Sequence, residues 1–226
     1  MEYKILNIAN KYIFSTELLN KRLNKDNKQY SIIYGTYKEE KNLEYKISDN
    51  KIHIVYAGTF SIQKGGAFSA IESAAYLPSN YHMHIIGFGN NDEKSKLLNR
   101  INELSEVTKA TITYDGLLSG EEYIKFMQKC DIGLSTQNPD SIYNLTSFPS
   151  KILSYMANGL RVVTIRIKAV ELSAIGNSVF YYEEQTPKAI AETIMSIDLN
   201  KPYNSRKLIK MLDGAFVNSI RKLFKP

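Results

Sequence analysis

With 226 residues, 43% of them hydrophobic and 23% charged, the chain is long enough to bury a full core and has the composition of a globular protein. No apolar run approaches the roughly 20 residues of a membrane span, and the start MEYKILNIAN lacks the basic, apolar and small-residue regions of a signal peptide, so the cytoplasm is the expected location. The net charge of +6 suits an anionic small molecule, an acidic lipid surface or nucleic acid, but no helix-turn-helix, zinc-finger spacing or arginine-and-aromatic sheet signature accompanies it, and nucleic acid is not expected.

The first fifty residues hold a strand, a helix and a second strand, in YKILNIANKYIFSTELLNKRLNK and YSIIYGTY, followed by the charged stretch KEEKNLEYKISDN. That is too little to bury a core of its own. It is either the tail of a second domain or an extension of the main sheet.

From residue 51 the pattern is regular. KIHIVYAGT ends a strand at Gly58, and AFSAIESAAYL is a helix with Phe68, Ile71, Ala74 and Ala75 near one face. YHMHIIGFG is the next strand, and NDEKSKLLNRINELSEV is a helix with Leu97, Leu98, Ile101 and Leu104 as its apolar stripe. ATITYDG follows as a third strand, and Ser119 with Glu122 has the spacing of a capping box for EEYIKFMQKC. DIGLST leads into the polar loop QNPDSIYNLTS, then into a helix marked at its start by Ser147, Phe148, Pro149 and Ser150. LRVVTI and SVFYY continue the alternation, with Thr186 as cap and Pro187 in the first turn of PKAIAETIMSI. Six strand-helix alternations predict an α/β domain with a doubly wound parallel sheet.

The last segment, SRKLIKMLDGAFVNSIRKLFKP, places Leu208, Leu212, Phe216, Ile220 and Leu223 along one side, with Lys207, Lys210, Arg221, Lys222 and Lys225 around them. A helix packing its stripe on the body is expected, with peripheral contact to the inner face of a membrane as the alternative. The expected organisation is therefore 1–50 as a remnant of another domain and linker, 51–200 as the α/β domain, and 201–226 as a basic amphipathic helix.

Cys130 has no partner for a disulfide, and with only His53, His82 and His84 beside it no spacing along the chain suggests zinc. His82 and His84 share a strand face, where a structural role outweighs a metal pair. No Asp-x-Asp is present, and no metal is expected.

In a doubly wound sheet the ligand sits beyond the carboxyl ends of the strands. The marked residues collect there. Gly58 is followed by Lys64, Gly65 and Gly66, where small residues allow close backbone approach and a lysine at a helix start can meet a phosphate. The spacing is not that of a P-loop. Gly87 and Gly89 end the second strand, but Asp92 stands where the third glycine of a dinucleotide fingerprint would be, which disfavours a nicotinamide cofactor. The helix that starts at Pro149 turns its first N–H groups to the same edge, and Lys151 in its first turn is a cation at the positive end of the helix dipole, a conflict that an anionic ligand would relieve.

In this order, VYAGTFSIQKGG, MHIIGFG, ITYDGLLSGEEYIKFMQKCDIGLS and SFPSKILSYMANGLRVV resemble the C-terminal, donor-binding domain of the retaining GT-B-fold glycosyltransferases, in particular the bacterial polysaccharide and lipid-sugar group. The resemblance covers 52 to about 197, and F-P-S-K-x-x-x-Y-M-A-x-G is its most specific part. It implies a UDP- or GDP-sugar as donor substrate, no cofactor, and a glycan or lipid-linked acceptor. It also implies that Lys64 and the backbone around Phe148, Pro149 and Ser150 receive the diphosphate, with the base between Gly87 to Gly89 and the loop around Tyr114, Asp115 and Gly116.

Two positions depart from that pattern. The family's paired glutamates, one for the donor sugar and one for the ribose, are replaced by Thr146 and Ser154, and the basic residue after the first glycine is replaced by Thr59. Lys64 and Thr146 stand at the catalytic positions, and Lys151 and Ser154 in the nucleotide site. An acceptor-binding half would come from a partner subunit or another segment. A non-catalytic nucleotide-sugar-binding module that has lost the glutamates is the alternative, and an epimerase on this fold would need acid-base carboxylates that the sequence does not offer.

Overall fold

The computed structural model describes residues 8–43, 48–61 and 65–225. β1 (Tyr12–Phe14), α1 (Glu17–Leu23) and β2 (Tyr30–Ile32) come first, and β1 pairs with β2 in parallel as a separate two-stranded sheet. The amino-terminal segment is thus not an extension of the main sheet. Thr16 caps α1, its hydroxyl accepting from the Leu19 amide at 3.0 Å.

The main domain follows as β3 (Ile52–Thr59), α2 (Gly66–Ser73), β4 (Tyr81–Phe88), α3 (Asn91–Val107), β5 (Thr111–Gly116), α4 (Gly120–Lys129) and β6 (Ile132–Ser135). It continues with α5 (Lys151–Ala157), β7 (Arg161–Ile165), α6 (Lys168–Glu171), β8 (Phe180–Tyr182), α7 (Pro187–Met195) and α8 (Ser205–Leu223). The six strands form one parallel sheet in the order β5-β4-β3-β6-β7-β8. This is the expected doubly wound architecture. The chain reverses its winding between β3 and β6, which opens a crevice at their carboxyl ends.

The central strands are buried on both faces, as parallel strands covered by helices must be: Ile54, Val55, Met83, Ile85, Leu134, Val162 and Val163 are all sealed from solvent. Tyr155 of α5 is fully buried and closes the crevice floor. Its hydroxyl accepts from the Ala57 amide at 2.9 Å and donates to the Leu134 carbonyl at 3.0 Å, just past the last paired residues of β3 and β6.

Helix α3 buries Leu97, Ile101 and Leu104, with Leu98 half-buried. Its start carries a complete capping box between Asn90 and Glu93. The box expected at Ser119 does not form, because Gly120 at φ 55° carries the first helical turn of α4 away from the Ser119 hydroxyl. Helix α2 tightens into a 3-10 turn over Ala74–Tyr76, which rotates Ala75 out to solvent instead of onto the apolar face. Thr186 caps α7, with Pro187 in its first turn, as expected.

The terminal helix α8 lays its stripe against α5 and β2, with Ile209 and Leu223 buried and Leu208, Leu212, Phe216 and Ile220 half-buried. The Ser31 hydroxyl of β2 donates to that of Ser219 at 2.8 Å, and the Phe216 ring meets Tyr37 edge-on at 6.2 Å. Among the described residues no helix is long and apolar enough to cross a membrane.

Candidate functional site

Two cavities lie at the carboxyl ends of the central strands and meet at Gly58. The first, about 290 Å³, is lined by Tyr56, Gly58, Thr59, Thr136, Gln137, Tyr143, Phe148, Pro149, Ser150 and Lys151. The second, about 200 Å³ and more apolar, is lined by Ala57, Gly58, Ile86, Gly87, Phe88, Leu117, Leu118 and Tyr123. A polar compartment and an apolar slot sharing a glycine wall can take a ligand with a charged middle and a flat ring.

Among the described residues, Lys151 is the cation that lines the polar compartment. Its side chain is half-buried and lies across the mouth of β3, with Nζ 4.0 Å from the centroid of the Tyr56 ring. A Cβ on Gly58 would come within 3.0 Å of that nitrogen. The Tyr56 hydroxyl donates to the Thr59 carbonyl at 3.1 Å, and burial pushes this phenol above its ordinary range, so it is neutral beside the ammonium.

The start of α5 differs from the expectation of open amides. The Ile152 amide donates to the Pro149 carbonyl at 3.0 Å and the Leu153 amide to the Ser150 carbonyl at 3.1 Å, so the first turn closes on itself. Ser150 stands at the cap position without a side-chain cap bond, and its backbone is already helical.

Around this start, Phe148 is buried against Tyr34 with ring centroids 5.0 Å apart. Buried Asn144 holds the preceding loop, its amide donating to the Asn138 carbonyl at 2.7 Å and its oxygen accepting from Gln137 at 2.7 Å. Thr136 donates to the Gly66 carbonyl at 2.7 Å and ties the start of α2 to the end of β6.

Of the remaining expected residues, Lys64 lies outside the described residues. Gly65 caps α2 in the left-handed region at φ 67°. Gly87, at φ 134°, lines the slot, and a Cβ there would stand 1.9 Å from the Gly58 carbonyl oxygen. Close packing of β3 on β4 requires its absence.

Gly89, Tyr114 and Gly116 line neither cavity. Strand β5 runs through Gly116, so 114–116 are strand and not loop. The Tyr114 hydroxyl donates to the Gly87 carbonyl at 3.3 Å while its ring stands edge-on to Phe60, and Asp115 accepts from His84 at 3.0 Å. The slot is walled instead by the next residues, Leu117 and Leu118.

Thr146 and Ser154, the two replacements for carboxylates, are both half-buried. The Thr146 carbonyl accepts from the Thr16 hydroxyl at 2.6 Å, which brings the amino-terminal segment onto the site loop. The Ser154 hydroxyl is 3.0 Å from that of Tyr123, at the border of a third cavity of about 410 Å³ that also includes Thr36, Lys38 and Glu40. Tyr56, Tyr123, Gln137 and Tyr143 were not among the expected site residues. Only Tyr56 carried a signal, as the aromatic residue two before the glycine of the first strand.

A family model for group 1 glycosyl transferases matches residues 51–198. Among solved structures, the chain is similar to Anabaena HepE in complex with UDP and glucose, at 15% identity and a TM-score of 0.63 over 99% of this chain and 68% of that one. It is also similar to the sucrose-phosphate synthase of Thermosynechococcus elongatus, at 17% identity and a TM-score of 0.69 over 99% of this chain and 59% of that one. The pneumococcal O-GlcNAc transferase GtfA in complex with UDP and GlcNAc aligns at 13% identity and a TM-score of 0.62, over 98% of this chain and 45% of that one. The chain thus spans between under half and about two thirds of the length of these structures, and no curated protein matches its sequence. The likeness of fold agrees with the GT-B resemblance, and the family match covers the sheet, both central cavities and the α5 motif: the chain belongs to the group 1 glycosyltransferases.

Proposed function

We propose that the chain is the donor-binding part of a glycosyltransferase that takes a UDP- or GDP-sugar and serves transfer to a glycan or lipid-linked acceptor. The observation that carries this reading is the meeting of the two cavities at Gly58, the apolar slot suited to a base and the polar compartment, with the Lys151 ammonium over Tyr56, suited to a diphosphate. HepE and GtfA were each solved with UDP and a sugar. That agrees with a nucleotide at the corresponding edge.

In this reading the bond between the sugar and the diphosphate breaks, and negative charge grows on the departing phosphate oxygens. Lys151 stabilises that charge more in the transition state than in the bound donor, which is the condition for acceleration, and Lys64 is proposed to share the role. The acceptor side comes from a partner subunit or a further segment. The exposed basic side of α8 suits an acidic membrane surface.

A second reading, a nucleotide-sugar-binding module without transfer, is favoured by one observation. Thr146 and Ser154 offer no carboxylate to the sugar or ribose, and the Ser154 hydroxyl is already paired with Tyr123. Calorimetry with UDP, GDP and their sugars, followed by an assay of transfer, separates the two. Binding with little transfer by the chain alone and restored transfer with an acceptor-domain partner supports the first; binding with no transfer in any combination supports the second. No heat with any nucleotide overturns both.

A further inference from the structure

At the other end of β3 and β4, toward their amino ends, three imidazoles lie together. The strand register sets His53 opposite His82, and His84 follows on the same face of β4, its ring edge-on to Phe126 of α4 at 5.2 Å. One nitrogen from each of His53, His82 and His84 can be chosen so that all three lie within 4.8 Å of one another. His53 and His84 are buried, and His82 is half-exposed.

The polar partners around the rings fix where the hydrogens sit. His53 Nε2 is 3.0 Å from Asp49 Oδ1, and His84 Nδ1 is 3.0 Å from Asp115 Oδ2. A carboxylate only accepts, so both ring nitrogens carry hydrogen. The Thr113 hydroxyl donates to Asp115 at 2.8 Å and therefore accepts from His82 Nε2 at 3.0 Å. With one hydrogen on each ring, the lone pair falls on the other nitrogen: Nδ1 of His53, Nε2 of His84 and Nδ1 of His82. The first two face each other at 2.9 Å. Two lone pairs at that distance repel unless a cation stands between them.

We propose that His53, His82 and His84 form a three-imidazole site for one divalent transition-metal ion of the zinc class. Imidazoles that donate their far N–H to a carboxylate or hydroxyl are held in the tautomer and orientation that a metal needs. His53 and His84 are held so by Asp49 and Asp115, whereas His82, with Nε2 on Thr113, lies stacked on His84 with ring centroids 3.8 Å apart. A tetrahedral ion bound at about 2.0–2.1 Å sets its ligand nitrogens roughly 3.3 Å apart. The His53 and His84 nitrogens, 2.9 Å apart, are close to that spacing, and the half-exposed His82 ring completes the set by turning out of its stack on His84. The exposed side of His82 and Asp49 is the way in. Cys130 stays outside the set, its thiol turned to the Phe126 carbonyl at 3.6 Å. The ion would pin β3 to β4 at the end of the sheet remote from the nucleotide cavities, which makes it a structural site and not a catalytic one.

The test uses the full chain stripped with EDTA and titrated with Co2+ and Zn2+. The expected result is one equivalent of cobalt with the intense visible bands of low coordination number, displaced by zinc, and a zinc-dependent rise in the thermal midpoint that magnesium does not give. His82→Phe, which keeps an aromatic ring in the stack, should raise the metal Kd by at least about 100-fold, and Asp49→Asn, at an exposed carboxylate, by about 10–100-fold. Circular dichroism confirms that each variant is folded, and the wild-type cobalt spectrum stands on its own should His82→Phe fail to fold. An octahedral cobalt spectrum or unchanged affinity in His82→Phe overturns the three-imidazole site. Absence of stoichiometric binding also overturns it, and leaves a proton shared between His53 and His84.

Discussion

The ammonium of Lys151 rests 4.0 Å from the centre of the Tyr56 ring, so the first residue of α5 reaches back over the end of β3 and puts a positive charge in the crevice where the sheet reverses. The ring holds the cation by its face.

Replacing Lys151 with Met keeps the stem and removes the charge. A charge-assisted bond to phosphate is worth about 1.5–3 kcal/mol, so the Kd for a nucleoside diphosphate should rise about 10–100-fold. The midpoint without nucleotide should fall by no more than about 4 °C, since a partly exposed cation–ring contact contributes about 0.5–1 kcal/mol. Calorimetry and a thermal scan of the same variant check the two halves; unchanged nucleotide affinity would remove Lys151 from the site.

Tyr155→Phe should be costly although it removes one atom. The hydroxyl is the bridge between the Ala57 amide and the Leu134 carbonyl, both without access to water. Leaving both unpaired costs about 2–4 kcal/mol, or about 5–12 °C in midpoint for a chain of this size. A midpoint within about 2 °C of wild type would mean that the crevice floor has other support.

Gly87→Ala should destabilise the domain by at least about 2 kcal/mol. The backbone there is at φ 134°, and a methyl group would fall on the Gly58 carbonyl. Relief requires β3 and β4 to part at the shared wall of both cavities, so urea denaturation should show a lower midpoint and calorimetry a loss of nucleotide binding.

The alkaline limb of stability should be set by tyrosines. Burial raises the phenols of Tyr37, Tyr181 and Tyr203 to about 12, and those of Tyr56 and Tyr155 also move up. In the unfolded chain these groups ionise near pH 10, so the stability they carry is fully present below that and is lost as pH rises from about 10 toward 12. Absorbance at 295 nm should show an early group of exposed phenols and a late group that ionises together with loss of the fold. A single early phase with structure retained would contradict the burial.

The fold was legible because the alternation of apolar runs and capped helices from residue 51 onward admits few arrangements besides a parallel doubly wound sheet. Motif residues on α5 were legible for the same reason, and the buried Tyr155 explains why that motif needs a tyrosine. What could not be seen along the chain was set by register and local turns. His53 sits 29 residues before His82 and meets it only through strand pairing. Asp115 does not lie in a loop at the site, because β5 continues past it and turns its carboxylate to His84. The closed first turn of α5 depends on the helical backbone of Ser150, which a Ser-Pro-Ser-like pattern does not disclose.

The contact between Ser31 and Ser219 bridges 188 positions of sequence, and synthesis imposes an order on it. At about 5–20 residues per second, a ribosome delivers the second partner roughly 10–40 s after the first. For that interval β1 and β2 emerge with an uncovered side while the six-stranded sheet assembles behind them. The β1–β2 segment is therefore finished after the six-stranded sheet, although it is made before it.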